Sequence, residues 1–217
     1  MADQLYLSYW IRGFTERNML DQLETALRRF PFSRLAPGLA LRIFALEFAQ
    51  PPVLERSFAE PADIDEIIPA AGEFLQGDCA YQVDGAWDLW QWDREWELRP
   101  AAVSLVCYGP AFSSERGEQL RIEFGPEFHF LPAERPAGRP HSASGGSAAR
   151  RLAEETVTAS FPTQSSARSL TPIRSNIRSL LHLAGDLDQA FRVEKRLLWS
   201  ESGENLAGRL EEAARQQ

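Results

Sequence analysis

Lysine is almost missing from this chain: of 23 basic residues only Lys195 is not an arginine. A chain that uses arginine to hold phosphate is also basic overall. This one carries a formal charge of −8, which argues against nucleic acid as a partner. Cysteine is scarce too. Cys79 and Cys107 are too few and too far apart for a zinc site or a disulfide framework. Each stands beside an apolar run, so both are expected to be buried free thiols. No stretch approaches the roughly 18 consecutive apolar residues that a membrane span needs. The start, Met1-Ala2-Asp3-Gln4, has no basic region ahead of an apolar run. The expectation is a soluble, cytoplasmic protein with no membrane contact.

Catalytic signatures are lacking as well. The chain has no nucleophile elbow, Walker loop, dinucleotide fingerprint, paired metal-ligand histidines or Cys-His pair. The three histidines, His129, His141 and His182, are spread over the chain. No catalytic residue, metal site or cofactor is therefore expected.

What is present reads as a globular domain with an appendage. The 44% hydrophobic, 25% charged and 11% aromatic composition is that of a folded protein. Charge is unevenly spread. Residues 1–133 hold 11 basic and 21 acidic groups (−10), residues 134–171 hold 5 and 3 (+2), and residues 172–217 hold 7 and 7.

Leu5, Leu7, Tyr9 and Ile11 alternate as in a half-buried strand. Met19, Leu20, Leu23, Ala26, Leu27 and Phe30 then mark one face of a helix that Pro31 stops. Thr15 stands as its cap, with Phe14 and Met19 as a hydrophobic staple. Strands at 39–48 and 53–58 flank a Gln50-Pro51-Pro52 turn and should pair antiparallel. Asp63 and Glu66 open a second helix, which carries Pro69 and ends at Gly77. A strand at 79–83, a turn at Asp84-Gly85, and strands near 86–92, 95–98, 102–108 and 119–124 complete the region. The fold class is α+β: an antiparallel sheet that opens in ferredoxin-like βαββαβ order and is extended by a β-meander, with a C-terminal helical arm. The domains are an α+β unit at 1–133, a flexible Pro/Gly/Ser/Ala-rich linker at 134–171 and the helical arm at 172–217. As a flexible coil the linker would span about 31 to 37 Å. In the arm, Ile173, Ile177, Leu180, Leu181, Ala184, Leu187 and Phe191 form one stripe. A helix of that length is marginal alone in water, so it must dock to persist. A last helix is expected from Gly203 to Arg215.

Candidate site residues come from two places. Trp87, Trp90, Trp92 and Trp96 crowd one short segment. With a two-residue turn at Asp93-Arg94, Trp92 faces Glu95 and Trp90 faces Glu97. That register puts Trp90 and Trp92 on one face with Asp88, Glu95 and Glu97. Such an aromatic-acidic face suits a cation, a sugar or a docked helix. Arg174 and Arg178, in line with His182, form a row on the arm that suits an anion. The function these features favour is a non-enzymatic protein-interaction or assembly role, the arm docking on its own sheet or exchanging between copies. The partner is then a second copy or another protein held through the arm. The alternative is a small-ligand module or enzyme using the face of Trp90 and Trp92.

Overall fold

Alternation of apolar side chains sets the first strand, β1 (Gln4–Ile11), in which Leu5, Leu7 and Tyr9 are fully buried. The computed structural model describes residues 3–59, 62–131, 170–201, 203, 206 and 208–210. Helix α1 (Met19–Arg29) starts later than Thr15, because the Asn18 side chain accepts from the Thr15 backbone N–H at 2.8 Å and donates to the Gly13 carbonyl. It buries Met19, Leu23, Ala26 and Leu27, the expected face. Strands β2 (Leu39–Ala45) and β3 (Leu54–Phe58) pair antiparallel as expected. Helix α2 (Ile64–Gly72) is capped by Asp63, whose carboxylate accepts from the Asp65 N–H, and it contains Pro69.

The next segments depart from the expected turns. No turn interrupts the chain at Asp84-Gly85; β4 runs unbroken over Cys79–Trp92. Gly85 serves packing here, since a Cβ on it would stand 2.6 Å from Leu39 Cδ2 and 3.1 Å from the Phe32 ring. Likewise β5 is one strand, Trp96–Tyr108, with Pro100 inside it. Strand β6 (Leu120–Pro126) follows, then a short 3-10 turn over Glu127–His129. After the undescribed residues come α3 (Leu170–Ala190) and β7 (Val193–Ser200). The expected linker lies outside the described residues except Leu170 and Thr171, which open α3. Of the expected last helix, Leu206 and residues 208–210 are helical, and 211–215 lie outside the described residues.

The strands form one seven-stranded sheet in the order β3-β2-β4-β5-β6-β1-β7, and every pairing is antiparallel. The class is therefore α+β. A ferredoxin-like unit places its first strand between the third and the fourth, since each helix joins two parallel strands with another strand between them. Here β1 lies between β6 and β7, so the βαββαβ order of the chain is not matched by ferredoxin-like pairing. The expectation of an all-helical arm is also corrected. Residues 193–200 are an edge strand on β1, because Tyr6 and Ser8 offer Trp199 a ring to stack on and a hydroxyl to bond.

All three helices contribute to one core cluster with Leu7, Leu41, Ile43, Tyr81, Val83, Leu105 and Ile122 of the sheet. Arm residues Ile173, Ile177, Leu180, Leu183 and Leu187 belong to it, whereas Leu181 points out and is 52% exposed. Among the described residues, the opposite face of the sheet carries a small apolar cluster of Phe44, Ala80, Val106, Tyr108 and Phe112.

Candidate interaction site

Strands β4 and β5 are the longest in the sheet and outrun their neighbours. Pairing with β2 ends at Asp84, and pairing with β6 begins at Ser104. From Gly85 to Val103 the two strands pair only with each other, as a ribbon. Its turn holds three residues, so Trp92 faces Trp96, Trp90 faces Leu98 and Leu89 faces Arg99. This corrects the register expected from a two-residue turn. One extra turn residue moves every side chain of the returning strand to the other face. Asp88, Trp90, Trp92, Trp96, Leu98 and Pro100 now share one face, while Glu97 and Arg99 share the other with Leu89 and Gln91.

The carboxylates near the tryptophans are engaged internally. Asp88 accepts from the Ser33 hydroxyl and, at 2.9 Å, from the Arg34 N–H. This closes the 33–36 loop on the edge of β4, where the Ser33 N–H also donates to the Ala86 carbonyl at 2.8 Å. Glu97 lies 2.6 Å from the Arg99 guanidinium, with Asp93 at 3.5 Å. Glu95 sits exposed in the turn. Trp90 is half-buried, and Trp92, 38% exposed, packs edge-to-face on Trp96 at 5.5 Å. Of the carboxylates expected beside Trp90 and Trp92, Asp88 keeps that face but is held by the 33–36 loop and Glu97 has left it; what shows is a mostly apolar strip, with Leu98 45% exposed.

No protein-family model, curated protein or solved structure matches this chain.

The arm meets the ribbon through a residue that sequence reasoning missed. Asn176 is 2% exposed. Its Oδ1 accepts from the Trp90 N–H at 3.0 Å, and its Nδ2 donates to the Trp90 carbonyl at 2.9 Å and to the His129 carbonyl at 2.8 Å. The amide occupies the edge of β4 as a neighbouring strand would. Its signal in the sequence was a polar side chain at core-facing spacing, beside Ile173, Ile177 and Leu180. Arg178 and His182 are exposed on the same helix and Arg174 is half-buried. Further along, the Tyr9 hydroxyl donates to the Ala184 carbonyl at 3.2 Å, and its ring meets Phe191 edge-on at 5.7 Å. Strand β7 is clamped from the other side. Trp199 stacks on Tyr6 at 4.3 Å, donates to the Ser8 hydroxyl at 3.0 Å and lies under the Arg116 guanidinium at 3.9 Å.

The face without helices carries charge in rows. Register aligns Asp84, Ser104, Glu123, Tyr6 and Trp199 across five strands, with Arg42, Gln82, Val106, Arg121 and Ser8 one step along. Arg121 lies 3.0 Å from Glu123, 3.5 Å from Glu118 and 3.7 Å from Glu115, beside the rings of Tyr6 and Tyr108. Arg42 pairs with Asp84 at 2.6 Å. Burial pushes the Glu123 carboxyl above its usual range, with Arg121 pulling the other way. Burial also raises the Tyr108 and Tyr6 phenols, and it lifts the Cys107 thiol to about 12. The two phenols and the thiol are held protonated at neutral pH, the wrong state for a phenolate or thiolate nucleophile. Arg42 Nε, Ser104 Oγ, Tyr108 Oη and Arg121 Nε are buried without a hydrogen-bond partner. The network balances charge better than it satisfies hydrogen bonds.

Proposed function

We propose that this chain is a non-enzymatic assembly protein in which the α3–β7 segment is the docking element, able to seat on its own sheet or on that of a second copy. The observation that carries the reading is the way this segment is held. A helix fills the core, an amide completes a strand edge and a strand extends the sheet, all on surfaces contributed by residues 4–130. The identical surfaces exist on every copy, so the same contacts serve within a chain or between chains, which is the basis of exchange.

Trp10 and Lys195 are cross-strand partners on β1 and β7. Antiparallel neighbours stand about 4.5–5.5 Å apart at Cα, within disulfide reach. One copy carrying Trp10→Cys and another carrying Lys195→Cys are unfolded together, refolded and oxidised. The expected result is a covalent heterodimer, formed when β7 of one copy lies on β1 of the other. The double variant in one chain closes an internal bridge and reports that the geometry is competent. If that bridge closes while the mixed copies stay unlinked at every concentration, the exchange reading is wrong.

A further inference from the structure

The outer edge of the β4–β5 ribbon is open on one side only. The Trp90 N–H and C=O both bond to the Asn176 side chain, so they point away from β5. In an antiparallel pair, the residue opposite then also has both of its groups pointing outward. That residue is Leu98. By the same parity, Trp96 and Pro100 present their backbone groups to the free edge of β5, and Pro100 lacks its N–H where the ribbon does not use it. Strand β6 pairs with β5 only from Ser104 onward, so among the described residues no strand flanks Trp96–Pro100. At this rung the ribbon is completed by Asn176 on the β4 side and left uncompleted on the β5 side, where Leu98 is 45% exposed.

We propose that this edge pairs with the same edge of a second copy, antiparallel about a two-fold axis at Leu98. The segment Trp96-Glu97-Leu98-Arg99-Pro100 is self-complementary in that register. Leu98 faces Leu98 of the second copy and exchanges two hydrogen bonds with it. Each Trp96 N–H donates to the Pro100 carbonyl opposite, so the imino residue, with no donor to give, is placed where only an acceptor is needed. Glu97 faces Arg99 and Arg99 faces Glu97, so two opposite-charge pairs form across the axis. In the other antiparallel registers shifted by two residues, Glu97 meets Glu97 or Arg99 meets Arg99. The charges therefore select the register as well as the partner. The apolar side chains at stake, Trp92 and Leu98, are among the exposed large hydrophobics of the chain and share one face of the ribbon. Charge and proline blunt an edge against unlike partners, and here Glu97, Arg99 and Pro100 are placed so that the same edge of a second copy complements them. This interface is separate from the α3–β7 surfaces and stands whether or not those exchange.

Charge reversal tests it by sedimentation equilibrium on the full chain. Wild type is expected to dimerise. Glu97→Arg alone sets Arg against Arg, and Arg99→Glu alone sets Glu against Glu, so each weakens the dimer about tenfold or more. An equimolar mixture of the two single variants restores a heterodimer, because each Arg pair then meets a Glu pair. Leu98→Pro deletes the outward N–H without touching the ribbon's own ladder and abolishes the dimer, with circular dichroism confirming the fold. A wild type that stays monomeric, or dimers indifferent to both reversals and to Leu98→Pro, overturns the proposal. Dimers of the latter kind that still link through Trp10→Cys and Lys195→Cys identify arm exchange instead.

Discussion

Replacing Asn176 by alanine removes three hydrogen bonds at once and tests how the arm is held. The amide is buried and bonds the Trp90 N–H, the Trp90 carbonyl and the His129 carbonyl at 2.8–3.0 Å. Each such bond contributes about 0.5–1.5 kcal/mol net, and a buried group left without a partner costs about 1–3 kcal/mol. Trp90 is only half-buried, so water recovers part of the loss, and the sum falls near 2–4 kcal/mol. For a chain of this size that lowers the melting temperature by roughly 6–12 °C. Asn176→Asp is worse at neutral pH. It keeps an acceptor for the Trp90 N–H but turns a carboxylate toward two carbonyls, and it recovers partly on acidification as the protonated acid regains one donor. Urea unfolding followed by tryptophan fluorescence gives the stability, and hydrogen exchange at the Trp90 amide locates the effect. A loss under about 0.5 kcal/mol for the alanine variant, with the Trp90 amide still protected, would refute the strand-mimic account.

Trp199→Ala removes the ring stacked on Tyr6 and the platform for Arg116, and it frees the Ser8 hydroxyl. A loss of about 2–3 kcal/mol is expected, the low end for a large aromatic because the ring is only partly buried. Limited proteolysis should then cut within 193–200 before the rest of the sheet; uniform cleavage would contradict a locally held β7. Burial lowers the His129 pKa below its ordinary 6.5. As pH falls through that value the unfolded chain takes up a proton that the folded chain does not, so stability declines toward the lower folded pKa. His129→Gln should flatten this part of the stability curve, and an unchanged slope between wild type and variant would exclude the assignment.

Local pattern carried much of this fold. Period-two alternation located β1 and β6, and helical spacing located α1 and the buried stripe of α3, because a side chain's burial on a regular element follows from its position in the repeat. Asp63 was legible as a cap and Gln50-Pro51-Pro52 as a break, since those residues act on their own backbone. The turn expected at Asp84-Gly85 and the gap expected between strands 95–98 and 102–108 failed for the complementary reason. Gly85 answers to Phe32 and Leu39, which are remote in sequence, and Pro100 is tolerated because its missing donor faces a free edge. The tryptophan register turned on one residue of turn length, which shifted Glu97 away from Trp90 and dispersed the expected acidic ring. Strand β7 depends on β1, far along the chain, and had no local signal; the spacing of Asn176 marked it as core-facing but could not name Trp90 as its partner. By itself the sequence determined the α+β class and most of the buried apolar positions, Leu181 excepted, through composition and periodicity. Only the tertiary structure decided strand order, the seating of the arm and the open edge at Leu98, because hydrogen-bond pairing between distant segments is chosen by packing over the whole sheet.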